Sequence, residues 1–317
     1  MKTNKVKIGT RGSQLAIHQT NLVAAYVHSS HPHIEVEIQT IKTTGDKILD
    51  SPLSKIGDKG LFTKEIEKAI LENEIDCAVH SLKDLPTEIP AGLRITAFGV
   101  REDVRDALIA QDCMKLLELP KGSTVATGSL RRRSQLLHLR SDLNLVDIRG
   151  NLNTRLRKLE EEGYAAMVLA YAGVKRLGMQ DKVTEILAPE KMLPAVGQGI
   201  IAVEARDDDE EIKHMLRGFN DADSENAALA ERAFLRVLEG GCQVPIGVYT
   251  SFEQKKIVGM IASLDGENMI KDSVEFDNAA PEHSGTFLAE RLLALGGDKI
   301  LGEIRSDFQS PGTRGPG

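Results

Sequence analysis

The chain has 317 residues, a formal net charge of −7 at pH 7, and a composition that is 41% hydrophobic, 27% charged and only 4% aromatic. That length favours two or three domains with aliphatic cores, and no apolar run reaches the ~18 residues of a membrane span. The acidic balance argues against nonspecific nucleic-acid binding, and three scattered cysteines, Cys77, Cys113 and Cys242, indicate neither a disulfide framework nor a zinc site.

The first hundred residues alternate between strand and helix patterns. Strands are predicted at residues 5–10, 34–40, 76–80 and 93–100, and helices at 13–28 and 62–74. Residues 45–61, which include Lys55 and Lys59, mix glycine, lysine and aspartate with little periodicity. This composition predicts a mobile loop.

The alternation continues in a second unit. Strands are expected at 106–110, 124–127, 145–148 and 166–170, and helices at 130–139, 153–162 and 172–187. The run Gly197-Gln198-Gly199 predicts a hinge, followed by a strand at 200–204 that returns the chain to the first unit. Such alternation predicts sheets flanked by helices.

The last third has a different pattern. A helix at 224–238 is expected to end at Gly240, a favourable C-terminal cap. Antiparallel strands are predicted at 244–251, 256–263 and 269–276, with a turn at Asp265-Gly266, and a helix at 282–295. The tail from about residue 309 has the composition of a disordered segment.

The openings of the two α/β units resemble each other. Residues 8–15 read Ile-Gly-Thr-Arg-Gly-Ser-Gln-Leu, and residues 126–136 read Ala-Thr-Gly-Ser-Leu-Arg-Arg-Arg-Ser-Gln-Leu. The match is short, and chance is the competing explanation. Together with the shared order of elements, it suggests two related domains that face each other across a ligand-binding crevice.

Arginine recurs where helices are expected to begin. Since a helix N-terminus already carries a positive dipole end, arginine is unfavourable there unless an anion lies close by. Residues 127–176 hold ten Lys/Arg against five Asp/Glu, a local surplus of five positive charges. The arginines at predicted helix starts are Arg11, Arg131, Arg132, Arg133, Arg149 and Arg155. Any one of them alone is equally well explained as a solvated surface residue, but as a group they predict a binding site for carboxylate or phosphate.

Asp84 and Cys242 are the two candidates for chemistry. Asp84 follows the predicted strand at 76–80 and suits a turn or a helix cap. In a cleft lined by arginines, however, a carboxylate also suits the stabilisation of a cation or the transfer of a proton. Cys242 lies between a glycine pair and Pro245, a setting that exposes a thiol, although a small buried hydrophobe is the competing interpretation.

Seven segments carry a resemblance to a known family. In chain order they are residues 9–16 (Gly-Thr-Arg-Gly-Ser-Gln-Leu-Ala), 80–86 (His-Ser-Leu-Lys-Asp-Leu-Pro), 127–132 (Thr-Gly-Ser-Leu-Arg-Arg), 148–155 (Ile-Arg-Gly-Asn-Leu-Asn-Thr-Arg), 169–173 (Leu-Ala-Tyr-Ala-Gly), 194–199 (Pro-Ala-Val-Gly-Gln-Gly) and 240–247 (Gly-Gly-Cys-Gln-Val-Pro-Ile-Gly). Together, and in this order, they resemble the porphobilinogen deaminase family, whose members are also called hydroxymethylbilane synthases. The resemblance covers nearly the whole chain. Leu82 stands where many relatives have methionine, an apolar exchange.

The resemblance implies a transferase of tetrapyrrole and heme biosynthesis. Such an enzyme joins four porphobilinogen molecules head to tail with release of ammonia, then frees hydroxymethylbilane by hydrolysis. It implies that Cys242 carries a dipyrromethane cofactor through a thioether, and that Asp84 is the catalytic residue that stabilises an azafulvene cation and manages the proton lost after coupling. The acetate and propionate groups of porphobilinogen then account for the arginines.

Further residues match the family's binding positions. By resemblance, those for the cofactor are Ser81, Lys83, Asp84, Thr127, Ser129, Arg131, Arg132 and Arg155, besides Cys242. Those for the substrate are Arg11, Ser13, Arg149, Arg155, Arg176 and Gln198.

The implied fold has two α/β domains, like those of periplasmic binding proteins, around a cleft, and a smaller α+β C-terminal domain. Our boundaries are 1–99 with 200–217, then 100–199, then 218–317. We expect a monomer that uses no metal and binds no nucleic acid or membrane and, since residues 1–6 enter a strand without an apolar signal core, a cytoplasmic one. The alternative is a non-enzymatic two-domain anion-binding protein, which leaves Cys242 unexplained.

Overall fold

The structure, a computed structural model, describes residues 4–47, 60–238 and 244–309. Its helices are α1 Gln14–Ser30, α2 Thr44–Lys47, α3 Lys64–Leu71, α4 Leu130–Leu139, α5 Leu152–Glu161, α6 Tyr171–Arg176, α7 Glu210–Met215, α8 Ala222–Val237, α9 Pro281–Leu292 and α10 Asp298–Gln309. Its strands are β1 Lys5–Thr10, β2 Glu35–Thr40, β3 Cys77–Ser81, β4 Leu93–Phe98, β5 Asp106–Ala110, β6 Thr124–Ala126, β7 Asn144–Val146, β8 Ala166–Ala170, β9 Glu185–Leu187, β10 Ile201–Arg206, β11 Ile246–Ser251, β12 Lys256–Ala262 and β13 Met269–Glu275.

The two larger sheets share one topology. The first has the order β2-β1-β3-β10-β4 and the second the order β7-β6-β8-β5-β9. In each sheet four strands run in the same direction, and the fourth strand in the order, β10 or β5, runs antiparallel between its two neighbours. The similarity between segments 8–15 and 126–136 therefore reflects a structural repeat, because both segments run from the central parallel strand into the following helix.

The strand β10 returns to the first sheet, as the sequence predicted. It pairs antiparallel with β3 and with β4. The proposed domain boundaries themselves stay a prediction.

The prediction of a helix over residues 172–187 was wrong in part. Residues 172–187 do not form a single helix, since α6 ends at Arg176 and residues 185–187 form β9 on β5. Gly178, with φ of +68°, adopts the left-handed conformation that ends a helix. The short edge strand that follows was hidden inside a stretch that looked helical.

The C-terminal unit packs a three-stranded antiparallel sheet, β11-β12-β13, against helices. Its core contains Phe234, Ile261 and Leu288. The predicted strands and turn are present, but α10 was missed. Gly296, with φ of +107°, breaks the chain after α9, and Ile300 and Ile304 then repeat at helical spacing to bury a further face.

A buried carboxylate joins this unit to the segments that link the two larger sheets. Glu231 of α8 is fully buried and accepts from the guanidinium of Arg101 at 2.6 and 3.0 Å. It also accepts from the backbone N–H groups of Gly197, at 2.8 Å, and Thr250, at 3.1 Å. Both linking segments are thus attached to the helix that precedes Cys242 in the chain.

Every helix in the part of the chain that the structure describes is too short or too polar to span a bilayer. This agrees with the absence of a long apolar run in the sequence.

Two glycines give a matched test of helix packing. A methyl group at Gly285 in α9 would fall on the carbonyl oxygen of Ala230 in α8, whereas one at Gly302 in α10 would meet open space. We expect Gly285→Ala to lower the free energy of unfolding by about 1–3 kcal/mol through overpacking. Gly302→Ala should raise it by about 0.5–1 kcal/mol through helix propensity.

Urea unfolding of both variants measures this difference. Equal stability of the two variants would contradict the described contact between α8 and α9.

Candidate active site

The strand β3 presents Asp84 at its carboxyl end. The chain leaves β3 at Ser81 and makes a short 3-10 turn over Leu82–Asp84. Leu82 is buried and donates its N–H to the carbonyl of Ile200 at 3.0 Å, which fixes the turn. Because the buried leucine holds the turn, Lys83 and Asp84 remain exposed, and 38% of the Asp84 side chain is accessible.

Arg11 lies at the neighbouring strand end, after β1. Its guanidinium donates to Asp46 at 3.2 Å and lies 4.1 Å from the centre of the Phe62 ring. Its Nη1 is 4.0 Å from Oδ2 of Asp84. Burial acts to raise the pKa of Asp46, but the charge and hydrogen bonds of Arg11, with those of Thr43, hold that pKa below its ordinary value. Arg11 is therefore held beside Asp84 by a partner whose ionised form is favoured.

A buried ion triad stands at the start of α4 in the second sheet. Asp106, the first residue of β5, is fully buried; Arg131 reaches it at 2.9 Å and Arg132 at 2.8 Å. Burial opposes the charge of Asp106, but the two arginines hold its pKa well below the usual range. One carboxylate against two guanidinium groups leaves a positive surplus.

The arginine pair retains unused donors. Nε of Arg131 and Nε of Arg132 are buried without a hydrogen-bond partner. Nη1 of Arg131 also donates to the carbonyl of Leu193, at 2.5 Å. Buried polar atoms without partners are costly, so these atoms are suited to an anion that enters the crevice.

Lys83 and Arg155 show how concentrated the positive charge is. Lys83 is exposed to solvent in the crevice. Desolvation by the surrounding protein nevertheless lowers its pKa to about 8, together with the charges of Arg132 and Arg131. Asp84 and Asp106 oppose this shift. Burial, with the charges of Arg132 and Arg149, lowers the pKa of Arg155 to about 10, although Asp84 opposes this. Groups from both sheets therefore interact across one crevice.

Direct contacts also cross the crevice. Asn153 at the start of α5 donates to Gln14 at the start of α1, at 2.7 Å. The carboxyl ends of the two sheets consequently face each other, as ligand-binding α/β crevices require.

The predicted hydroxyl residues lie at strand and helix ends. Ser13 caps α1 by accepting from the N–H of Ala16, and Ser129 caps α4 by accepting from that of Arg132. Thr127 is buried at the end of β6. Ser81 exchanges hydrogen bonds with the amide of Gln19 at 2.9 and 3.2 Å.

Three further residues were predicted to bind the substrate. Arg176 donates to the carbonyl of Gly199 at 2.7 Å, and burial lowers its pKa against the effect of Glu102. Arg149 follows β7, and burial lowers its pKa against the effect of Asp147. Gln198 is buried and donates to Asp106 at 2.9 Å and to the carbonyl of Val104 at 2.7 Å. Its amide group thus adds a hydrogen bond to the carboxylate of the ion triad.

Sequence reasoning missed the two carboxylates that hold the arginines. Asp106 was assigned only to a strand, and Asp46 only to a predicted loop. A charged residue opening the otherwise apolar run Ala-Leu-Ile-Ala was a signal for Asp106, because a buried acid requires a cationic partner. Asp46 lies in a glycine-containing segment that gave no such signal.

Of the cysteines, Cys242 lies outside the described residues, as do Lys55 and Lys59 of the predicted loop and the tail from residue 310. Cys77 is buried in β3, and burial raises its thiol pKa, which makes it unreactive. Cys113 is exposed, but it lies past the end of β5 opposite to Asp106. Within the described ranges, no group of His, Cys, Asp and Glu could hold a metal ion.

Comparison with known proteins supplies the family. Residues 6–214 match the family model described as "Porphobilinogen deaminase, dipyromethane cofactor binding domain". Residues 226–294 match "Porphobilinogen deaminase, C-terminal domain". The chain belongs to the porphobilinogen deaminase family.

Curated porphobilinogen deaminases are similar over nearly their full length. That of Desulfitobacterium hafniense is 52% identical over 96% of this chain and 99% of its own. That of Carboxydothermus hydrogenoformans is 52% identical over 96% and 98%, and that of Chloroherpeton thalassium 50% identical over 95% and 98%. Among solved structures, the methionine binding protein MetQ is similar over 72% of this chain and 95% of that chain, with 15% identity and a TM-score of 0.46.

Membership of the porphobilinogen deaminase family confirms three predictions made from the sequence. They are the resemblance itself, the tetrapyrrole-forming transferase activity and the dipyrromethane cofactor. The α/β fold class with a smaller C-terminal α+β unit is confirmed by the three sheets. The roles of individual residues stay predictions.

The ion triad can be tested through its pH dependence. A carboxyl whose folded pKa is depressed adds stability above its unfolded pKa of ~3.9, and that stability is lost as pH falls towards the folded value. Since Asp106→Asn removes the only carboxylate of the triad, we expect it to cost about 3–5 kcal/mol at pH 7. The difference from the native protein should shrink below about pH 4.

Urea unfolding at neutral and acidic pH measures this change, with Glu161→Gln, in an exposed pair with Arg157, as the control. A stability difference that did not change with pH would contradict the ionised triad.

Proposed function

We propose that Asp84 is the catalytic carboxylate of the family's condensation reaction and that the surrounding cations bind the carboxylates of cofactor and substrate. The observation that carries this assignment is one accessible acid, Asp84, facing an excess of arginine and lysine from both sheets. An anion-binding site gains nothing from a carboxylate at its centre unless that carboxylate acts on a cation or a proton.

The residues of the crevice fit a dipyrromethane cofactor. Its acid side chains are matched by the surplus charge of Arg131 and Arg132 and by their buried, unpartnered Nε atoms. We assign its binding to Ser81, Lys83, Asp84, Thr127, Ser129, Arg131, Arg132 and Arg155, with covalent attachment at Cys242. When bound, the group supplies the primer on which the pyrrole chain grows.

Substrate carboxylates require a second set of cations. We assign their binding to Arg11, Ser13, Arg149, Arg155 and Arg176. Arginine suits this task because its planar fork binds a carboxylate through two parallel hydrogen bonds. We assign Gln198 a supporting role: its hydrogen bond to Asp106 helps to position Arg131 and Arg132.

Asp84 would act on the pyrrole nitrogen side of the substrate. When ammonia leaves, positive charge develops on the substrate, and an ionised carboxylate stabilises it. Arg11 lies 4.0 Å from Asp84 and donates its hydrogen bonds to Asp46. After coupling, the same carboxylate can accept the proton that the pyrrole carbon releases.

We also propose a cytoplasmic monomer with the three domains stated above. The return of β10 to the first sheet supports the discontinuous first domain. The non-enzymatic alternative is not favoured, since both family models describe an enzyme.

Asp84→Asn is the direct test of the catalytic assignment. The variant should fold and carry the cofactor, but turnover should fall on the order of 100-fold or more, because a neutral amide can neither stabilise the cation nor accept the proton. Steady-state rates of the purified holoenzyme measure this, with Glu88→Gln in the same loop region as the control. Near-normal turnover would remove Asp84 from its role.

Cys242 is tested separately by intact mass. The purified protein should exceed its sequence mass by one dipyrromethane, peptide mapping should place the addition at Cys242, and the protein should react with Ehrlich's reagent. Cys242→Ser should lose all three signals, whereas Cys113→Ser should keep them. A bare Cys242 in active enzyme would refute the attachment.

A further inference from the structure

A buried polar cluster lies beneath the loop that carries Asp84. It consists of His80 in β3, Glu204 in β10 and Glu67 in α3, which are 5%, 0% and 6% exposed. His80 pairs with Ala202 and Ala78 pairs with Glu204, so His80 and Glu204 are diagonal neighbours on one face of the sheet. Nε2 of His80 is 3.3 Å from Oε2 of Glu204.

The polar atoms of this cluster lower the stability of the fold, because several of them lack hydrogen bonds. His80 Nε2, both carboxylate oxygens of Glu204 and Oε1 of Glu67 are buried without an aligned hydrogen bond. Each such atom costs about 1–3 kcal/mol. The ladder between β10 and β4 also shifts register between Val203 and Glu204, an irregularity that redirects side chains and is common near active sites. Costs of this kind concentrate at functional sites.

The cluster brings titratable and charged groups together in a buried place. The charges of Glu204, His80 and Lys64 act on Glu67, and Arg232 of α8 interacts electrostatically with Glu204. Burial, together with the charge of Glu204, raises the pKa of Glu67 against the opposing effects of Thr63, His80 and Lys64. Two ionised carboxylates so deeply buried would be strongly unfavourable.

The cluster contacts the Asp84 loop at both ends. His80 directly precedes Ser81, from which the turn of Leu82–Asp84 begins. At the far end, Nη2 of Arg232 donates to the carbonyls of Pro86, at 2.6 Å, and Thr87, at 3.0 Å. The cluster is therefore linked to the start of the loop through His80 and to its end through Arg232, whose charge interacts with that of Glu204.

We propose that His80, Glu204 and Glu67 share a proton and, with Arg232, position the loop that carries Asp84. They are positioning residues, since they are proposed to act through the loop rather than on the reacting atoms. This inference rests on the proposed role of Asp84. Loss of the shared proton at high pH brings two like charges together under the loop and displaces the catalytic carboxylate.

The test uses Glu204→Gln and Glu67→Gln as purified holoenzymes with cofactor content measured by intact mass. Their kcat and KM for porphobilinogen are recorded across the pH range in which imidazole and buried carboxyl groups titrate. Glu204→Gln should lower kcat on the order of 10- to 100-fold with little change in KM, because a displacement of about 1 Å at a catalytic group has effects of that size.

Glu67→Gln gives the opposite signature. A carboxyl with a raised folded pKa favours the protonated state, and its contribution to stability is lost as pH rises through that value. Since glutamine is permanently neutral, the variant should keep near-normal kcat at neutral pH and lose less kcat than the native enzyme at alkaline pH. Its stability should likewise fall less as pH rises.

Two controls separate the outcomes. Ile304→Val removes a buried methyl group from α10 and lowers stability outside the cluster, so its kcat per folded holoenzyme should be unchanged at every pH. Glutamine variants whose pH profiles of kcat superimpose on the native profile would overturn the inference. Asp84→Asn is measured in parallel: near-normal turnover in it would refute the catalytic assignment, whereas loss of turnover alongside superimposed profiles would refute the positioning cluster alone.

Discussion

The buried triad of Asp106, Arg131 and Arg132 is the constraint on which the rest of the site depends. Two guanidinium groups at the start of a helix and away from water would repel each other and the helix dipole. A single fully buried carboxylate makes the pair possible and fixes its geometry. Because that carboxylate balances only one of the two charges, the pair remains able to bind another anion.

The shared topology of the two sheets explains how Asp84 and the arginine pair come to lie on different walls of the crevice. Each sheet ends its central strands at the crevice, but the first sheet presents Asp84 there and the second presents the arginine pair. A repeat of one fold thus supplies two chemically different walls. The accessible carboxylate of Asp84 thus faces a wall on which arginine is in excess over carboxylate.

The C-terminal unit is attached to the segments that link the two sheets and to the loop that carries Asp84. Its helix α8 supplies Glu231, which binds the two segments linking the sheets, and Arg232, which binds the loop after Asp84. The same helix precedes Cys242 in the chain. A cofactor attached there would therefore be positioned relative both to the segment of Gly197 and to the loop that carries Asp84.

Much of this could be predicted from the sequence, because periodicity reports local structure and most strands and helices were found near their observed positions. Helix-terminal arginines identified the cationic wall, since their placement is unfavourable without an anion. Their buried partners, Asp106 and Asp46, were not found, because pairing across the fold leaves no local pattern. The strand Glu185–Leu187 was missed for a similar reason: its identity comes from pairing with β5 rather than from its own residues.

The central claim is that Arg131 and Arg132 bind the carboxylates of the cofactor. The intact mass of freshly purified Arg132→Leu tests it most directly, with Arg157→Leu on the exposed face of α5 as the matched control. We predict that Arg132→Leu is recovered largely at its bare sequence mass, while the control carries one dipyrromethane per chain. Full cofactor occupancy in a folded Arg132→Leu protein, with unchanged kinetics, would contradict the account.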